Sequence, residues 1–289
     1  MTTLNENVIS ARDVSKVFRD FWGRPRVRAV NGLNLHVQRG EVFGLLGPNG
    51  SGKSTTLKML LGLLYPSSGD LRVLERSPRD VAVKSRIGFM PEDSYLYRYL
   101  SAEETLHFYA GLYGMPPSLR RERTAELLKL AGLEKDRHRP IGEFSKGMAR
   151  RIGLAQALLN DPELILLDEP TSGLDPLGCR QVKDLILDLA RRGRTVVVSS
   201  HHLADMQDVC DRVAILLDGR GCAEGPVSGL LQKSDTVRLT LKGLEESKLP
   251  GLLAYVERET GVRPEVDRSS ETLESLFIRV VTEKRQNQP

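Results

Sequence analysis

Apolar positions along the chain follow two rhythms. "EVFGLLG" (41–47), "RIGFM" (86–90), "LILLD" (164–168), "TVVVSS" (195–200) and "RVAILL" (212–217) are short and mostly apolar throughout, as central strands covered on both faces require. "VRAVNGLNLHV" (27–37) reads as a further strand. Between them lie helical stretches, among them "TTLKMLLGLL" (55–64), a face of Met148, Ile152, Ala155 and Leu159, and another of Val182, Leu185, Ile186 and Leu189. Such alternation predicts an α/β domain with a largely parallel sheet. "SAEETLHFYAGLYG" and "SLRRERTAELLKLAG" fall in some seventy residues without a strand candidate, which predicts a helical insertion over about 93–160.

Past about Lys233 the rhythm changes. "DTVRLTLKGLEE" reads as a strand, "LLAYVERETG" as a helix and "SSETLESLFIRVVTE" as a helix capped by Ser269 or Ser270. The sequence therefore divides into a main domain, 1–234, and a small α+β accessory region, 235–289.

Composition narrows the class. With 289 residues, 40% hydrophobic and 28% charged, the chain can bury one large core or two modest ones. No run approaches the roughly 20 apolar residues of a membrane helix, and "MTTLNENVISARD" has no secretory pattern, so a cytoplasmic protein is expected. Cys179, Cys210 and Cys222 form neither a disulfide framework nor a zinc site and fit a reducing compartment. The net charge is +4 and the pI about 9.0, but the arginine groups (Arg24, Arg26, Arg28; Arg120, Arg121, Arg123; Arg191, Arg192, Arg194) are dispersed among acids. That dispersal fits a solvated surface better than a nucleic-acid footprint, and leaves contact with anionic lipid headgroups open.

Candidate chemistry begins at "GPNGSGKST", Gly47, Pro48, Asn49, Gly50, Ser51, Gly52, Lys53, Ser54 and Thr55, between a strand and a helix. Glycines let backbone N–H groups turn in on phosphate oxygens, a lysine reaches the β and γ phosphates, a serine hydroxyl binds Mg²⁺, and the helix N-terminus adds its dipole. No N-K-x-D guanine reader is present. "LILLDEP" ends a buried strand with Asp168 and Glu169, a pair able to divide metal holding from activation of water. Asp175 in "TSGLDP" precedes Pro176 as a helix N-cap would, and Ser145 in "FSKGM" stands at another helix start.

The ordered set "GPNGSGKST", "FSKGM", "LILLDEP", "TSGLDP", "SSHH" resembles the ATP-binding cassette (ABC) family, the nucleotide-binding subunits of ABC transporters, over about residues 8–232. The resemblance implies a phosphate-loop ATPase core with a helical insertion, ATP and Mg²⁺ as cofactors, and a head-to-tail dimer of two copies sandwiching two ATP molecules. It implies that Lys53, Ser54 and Asp168 hold phosphate and Mg²⁺, that Glu169 is the general base, that Ser145 and Gly147 reach the γ-phosphate of the partner copy, and that Asp175 lies at the dimer interface. Phe18 matches the aromatic that stacks adenine, with Phe21 and Trp22 as rivals and a strand-edge core role as the alternative. Two motifs depart from the usual form. Phe144, Lys146 and Met148 replace the leucine, first glycine and glutamine of the signature, so a sugar contact at Met148 is lost. Glu92 replaces a glutamine that meets Mg²⁺ and the attacking water, and a carboxylate there adds negative charge. Tyr95, Tyr97 and Tyr99 stand where a permease helix docks, or belong to the insertion's own core.

Glu92 at the glutamine position, the "FSKGM" signature and the tail with "TLESLF" are similar to the branch that pairs with separate permeases in drug, sodium or polysaccharide export. The resemblance thus implies an ATPase peripheral on the cytoplasmic face of the membrane, partnered by a permease in another chain and by itself, with no nucleic-acid partner. The alternative is a soluble cassette acting on ribosomes or DNA, against which stand the single cassette and the lack of a long heptad run. Of the two histidines in "SSHH", His201 lies ten positions before Asp211 and Arg212, the register of the family's switch histidine, which contacts the γ-phosphate. Neighbouring side chains at a strand end point different ways, so His202 is expected to begin the next helix instead.

Overall fold

A computed structural model describes residues 7–93, 95–231, 244–264 and 266. The chain divides into two compact units, Met1–Leu230 and Leu231–Pro289. The first unit runs β1 (Asn7–Arg19), β2 (Pro25–Gln38), β3 (Val42–Leu46), α1 (Lys53–Leu60), β4 (Ser68–Val73), α2 (Val81–Lys84), β5 (Ile87–Met90), α3 (Ala102–Leu112), α4 (Pro117–Leu130) and α5 (Lys146–Ala157). It continues through β6 (Leu164–Asp168), α6 (Pro176–Arg191), β7 (Thr195–Ser200), α7 (Leu203–Val209), β8 (Arg212–Leu217), β9 (Arg220–Pro226) and into α8 (Val227–Leu231).

Six strands form one sheet in the order β5-β6-β7-β3-β8-β9, parallel except for the β8–β9 hairpin. Its central strands are buried on both faces because their apolar side chains alternate between two cores. Phe43, Leu45, Leu164, Leu166 and Val197 face one core, shared with Leu57 and Leu60 of α1. Val42, Leu46, Ile165, Leu167, Val196 and Val198 face the other, shared with Ile186 of α6 and with the helical insertion. A second sheet, antiparallel in the order β2-β1-β4, adds Ile9, Leu33, Leu35 and Val73 to the first core. This sheet was not expected from the sequence, where only β2 read as a strand.

The insertion is helical as expected: α3, α4 and α5, with two 3₁₀ turns at Glu134–Asp136 and Ile141–Glu143, bury Leu106, Leu127, Leu128 and Ile152 together. A capping box fixes the start of α3, where Ser101 Oγ accepts from the Glu104 amide (3.2 Å) and Glu104 Oε2 from the Ser101 amide (2.8 Å), each cap stabilising by about 1 kcal/mol. The α1 helix stops at Leu60, short of the stretch its apolar pattern suggested.

In the second unit, α9 (Leu249–Thr260) coincides with the expected helix and ends at Gly261, left-handed with φ +69°. The expected strand over "DTVRLTLKGLEE" falls largely outside the described residues, and the expected helix over "SSETLESLFIRVVTE" lies wholly outside them.

Candidate active site

The sheet order decides what meets at its C-terminal edge. Parallel pairing sets Leu46 of β3 against Ser200 of β7, and Asp168 of β6 against Ser199 of β7. Three adjacent strands therefore deliver, side by side, the loop from Gly47 to Lys53, the acids Asp168 and Glu169, and the segment from Ser199 to His202. Ligands of open α/β sheets bind beyond such carboxyl ends.

Two of the loop's glycines sit where no side chain fits. A Cβ on Gly47 would stand 2.3 Å from the Leu216 carbonyl oxygen, and one on Gly52 would stand 2.5 Å from that of Ala29. Gly50 and Gly52 adopt φ of +83° and +103°, which turns the backbone into a concavity of N–H groups leading into α1. The Lys53 ammonium, buried, donates to the carbonyl oxygens of Gly47 (2.7 Å) and Pro48 (3.2 Å). It also pairs with Glu169 Oε1 at 3.3 Å, at an angle that makes no hydrogen bond. The buried Ser51 hydroxyl likewise has no hydrogen-bond partner.

Serine and acid face each other across the loop: Ser54 Oγ donates to Asp168 Oδ1 at 3.2 Å. A hydroxyl and a carboxylate so placed are oxygen donors suited to Mg²⁺, which takes one or two protein oxygens together with phosphate oxygens. Glu169, in the left-handed region at φ +48°, carries backbone strain of about 1–3 kcal/mol. Its amide is fixed by the Ser199 carbonyl (3.2 Å) and hydroxyl (3.0 Å), and its Oε2 lies 2.9 Å from His201 Nδ1. His202 instead donates its amide to Ser200 Oγ at 3.0 Å and precedes α7, with its ring 4.0 Å from that of His201. Asp211 and Arg212 serve structure: Asp211 Oδ2 accepts from the Val42 amide, and Arg212 pairs with Glu41 and Glu224.

Three residues of this site escape sequence reasoning. Fully buried Ser199 donates its hydroxyl to Asp168 Oδ1 while accepting from Glu169, so one side chain holds both acids. Lys183 of α6 ties together Asp205 (2.7 Å) and Asp208 (2.9 Å) of α7, and Asp205 accepts from Thr171 Oγ1 at 2.6 Å. Burial pushes the Lys183 ammonium toward a lower pKa, but its two carboxylate partners outweigh that and leave it raised. Arg150 of α5 donates to the Pro91 carbonyl (3.2 Å), beside Glu92. Burial lowers its pKa, opposed by the fields of Asp93, Glu92, Asp168 and Glu169.

The other expected site residues stand apart from this cluster. Ser145 caps α5, accepting from the Met148 amide (3.2 Å), and Asp175 caps α6, accepting from the Gly178 amide (2.9 Å). A Cβ on Gly147 would lie 3.9 Å from Gly178 Cα, so the two helix starts are neighbours. Among the described residues no hydrogen bond or ion pair joins them to Lys53, Asp168 or Glu169. Phe18, on β1 opposite Val27, is 39% exposed with the Lys16 ammonium 5.4 Å from its ring centroid. Phe21 and Trp22 sit on the hairpin tip beyond it. Glu92 is exposed, as are Tyr95, Tyr97 and Tyr99, which places these tyrosines on the surface of the insertion and not in its core.

A phosphate cradle, an acid pair and a histidine converging at one sheet edge define a phosphate-loop nucleoside triphosphatase. A family model described as ABC transporter matches residues 30–172. The chain is 39% identical over 287 residues to an uncharacterized ABC transporter ATP-binding protein of Synechocystis, covering 96% of this chain and 81% of that one. It is 44% identical over 227 residues to a fluoroquinolones export ATP-binding protein of Mycobacterium tuberculosis, covering 76% and 74%. Among solved structures, an ATP-binding cassette captured as a dimer in a post-hydrolysis state with ADP and phosphate superposes with a TM-score of 0.69 at 28% identity, covering 76% of this chain and 98% of that one. The chain belongs to the ABC transporter family, as an ATP-binding subunit with ATPase activity. Among the described residues no helix is long and apolar enough to cross a membrane.

Proposed function

We propose that this subunit drives export through a permease carried on a separate chain, and that it does so as a head-to-tail dimer. The observation that carries the catalytic part is the contact of Glu169 with both His201 (2.9 Å) and Lys53 (3.3 Å) at the mouth of the phosphate loop. Lys53 and the loop amides bind the β and γ phosphates. Ser54 and Asp168, with Glu92, would hold Mg²⁺, which would supply charge neutralisation at the transferred phosphoryl group. Glu169 takes the proton of the attacking water, His201 orients Glu169 and the γ-phosphate, and Ser199 keeps the two acids in register. Phe18 offers its face to adenine.

Ser145 and Gly147, at the start of α5, present hydroxyl and amide donors suited to the γ-phosphate held by a second copy, and Asp175, at the neighbouring start of α6, lies at the interface between the copies. Export is supported by the likeness to a fluoroquinolones export subunit. A permease contact is supported by Tyr95, 89% exposed, and by Tyr97 and Tyr99, whose rings meet each other at 5.8 Å, with Phe108 at 5.5 Å from Tyr97.

Two measurements test this reading. Glu169→Gln should slow turnover by about 10²- to 10⁴-fold while retaining ATP, and should shift to a dimer on size exclusion when ATP and Mg²⁺ are present. Unchanged hydrolysis removes Glu169 from the mechanism. Crosslinking from a photoreactive residue at Tyr95 or Tyr99 in native membranes should capture a polytopic membrane protein; capture of a ribosomal or DNA-bound protein overturns the transport assignment.

A further inference from the structure

Strands β1 and β2 stay paired out to Arg19 opposite Pro25, and the turn between them is firmly built. Asp20 Oδ1 accepts from the amides of Trp22 (2.9 Å) and Arg24 (2.8 Å), the Asp20 amide donates to the Arg24 carbonyl (2.9 Å), and Arg19 Nη1 donates to the Gly23 carbonyl (2.8 Å). On this rigid tip sit two large aromatic rings open to solvent. Phe21 is 94% exposed and Trp22 76%, and the rings meet edge to face at 5.5 Å.

The hairpin carries Arg19, Arg24, Arg26 and Arg28, all exposed, and over residues 19–28 the single acid Asp20. Among the described residues Arg19 and Arg28 bond neutral acceptors, the Gly23 carbonyl and the Asn31 side chain, and form no ion pair. The arginine groups elsewhere in the chain are interleaved with carboxylates, as Arg123 is with Glu126 and Asp161. This one is not.

We propose that the β1–β2 hairpin tip docks on the anionic face of a lipid bilayer, with Phe21 and Trp22 entering the headgroup boundary and the arginines meeting lipid phosphates. The chemistry of both components fits. Tryptophan concentrates at the membrane–water boundary, where its ring is amphipathic, and guanidinium groups are drawn to anionic lipid. Single-stranded nucleic acid, which also stacks on aromatics, needs rings spaced along a charged groove. Here two adjacent rings crown a convex turn, a shape suited to shallow insertion. The inference goes beyond the transport reading and does not depend on a permease.

Trp22 is the only tryptophan in the sequence, so its fluorescence reports the tip alone. The full chain is titrated with phosphatidylcholine vesicles, with and without phosphatidylglycerol. A blue shift and cosedimentation confined to the phosphatidylglycerol vesicles, and reversed by salt, are expected. The triple variant Arg24→Ser/Arg26→Ser/Arg28→Ser, with its melting temperature retained, should bind about 100-fold more weakly, since each arginine near an anionic surface contributes about 5-fold. Phe21→Ser should weaken binding further in the same assay. The proposal is overturned by an unshifted spectrum with phosphatidylglycerol, by an equal shift with phosphatidylcholine alone, or by parental binding of the arginine variant. A shift with single-stranded DNA and none with vesicles also overturns it, assigning the tip to nucleic acid. None of these failures would alter the Glu169→Gln result or the crosslinking, so the transport reading is judged separately.

Discussion

Replacing Lys183 by methionine isolates the network that holds α7, and with it the histidine turn, against the segment after Glu169. The substitution keeps a long stem and removes the cation. Asp205, whose side chain is 15% exposed, then keeps the Thr171 hydroxyl as its hydrogen-bond donor and the weaker field of His202. Breaking a fully buried pair costs about 3–5 kcal/mol. Asp208, at 58% exposed, remains in water and loses little, so about 2–3 kcal/mol is expected. For a domain of this size that lowers the melting temperature by about 4–12 °C. The pH dependence has a definite sign. Burial pushes Asp205 up, but its bonds to Lys183 and Thr171 prevail and lower its pKa below 3.8. Its stabilisation is therefore present above that value and is lost as pH falls through the lower, folded-state pKa. The gap between parent and variant should be full near neutrality and shrink in acid below pH 3.8. Lys183, raised above 10.5, adds nothing to the pH dependence until strongly alkaline solution. Because α7 begins just after His202, kcat should fall by up to about 10-fold with KM for ATP unchanged. Asp205→Asn in the Lys183→Met background should recover part of the stability by removing the unpaired charge. Melting curves at neutral and acid pH decide the matter: a Tm within about 1 °C of the parent, or a deficit that does not shrink in acid, refutes the reasoning.

Further outcomes follow from contacts already described. His201→Ala should nearly abolish ATP hydrolysis, whereas His202→Ala, which leaves the Glu169–His201 contact in place, should lower it no more than a few-fold; equal losses in a phosphate-release assay would sink the distinction. Ser199→Ala should cost about 1–3 kcal/mol of stability in a urea titration and about 10-fold in kcat, while Ser200→Ala should spare kcat. Glu163, held to about 2 chiefly by Arg86, then by Arg39, contributes stability above its ordinary value of 4.5 that is lost as pH falls toward 2. Its side chain is 35% exposed, so the nominal gain is discounted for solvent screening to about 1 kcal/mol. Glu163→Gln should therefore narrow the acid side of the stability profile, and an unchanged acid midpoint would contradict this.

Much of the site was legible because its strands are. A run such as "LILLD" has one reading, a central parallel strand, and whatever follows it must lie at the sheet edge where Asp168 and Glu169 are found. What stayed hidden depends on lateral neighbours. Ser199 looks like the polar end of a strand, and only the pairing of β6 with β7 reveals that it spans both acids; two serines closing an apolar run beside an acid pair were the available signal. Lys183 and Asp205 are far apart in sequence and each reads as a solvated helix charge. The antiparallel sheet was missed for a different reason. "NVISARDVSKVFR" mixes charge with apolar residues, since much of it is open to solvent, and its partner β4 is six residues long with three exposed positions at its start.

Arg150 resolves a tension that the motifs alone create. Glu92, Asp93, Asp168 and Glu169 all act on Arg150, so four carboxylates lie within the field of one cation near the Lys53 loop. Such an excess of negative charge opposes a triphosphate, and Lys53 alone does not offset it. Arg150 lies in the field of all four, and its hydrogen bond to Pro91 fixes it to the segment that carries Glu92. Its charge, partly buried, is screened less than a surface arginine would be. The helix that begins at Ser145 thus provides two things one turn apart: a helix start facing outward, and a cation facing the chain's own acids. Any movement of α5 relative to the sheet changes both together, which ties the electrostatics of the Glu92 segment to the geometry of the Ser145 surface.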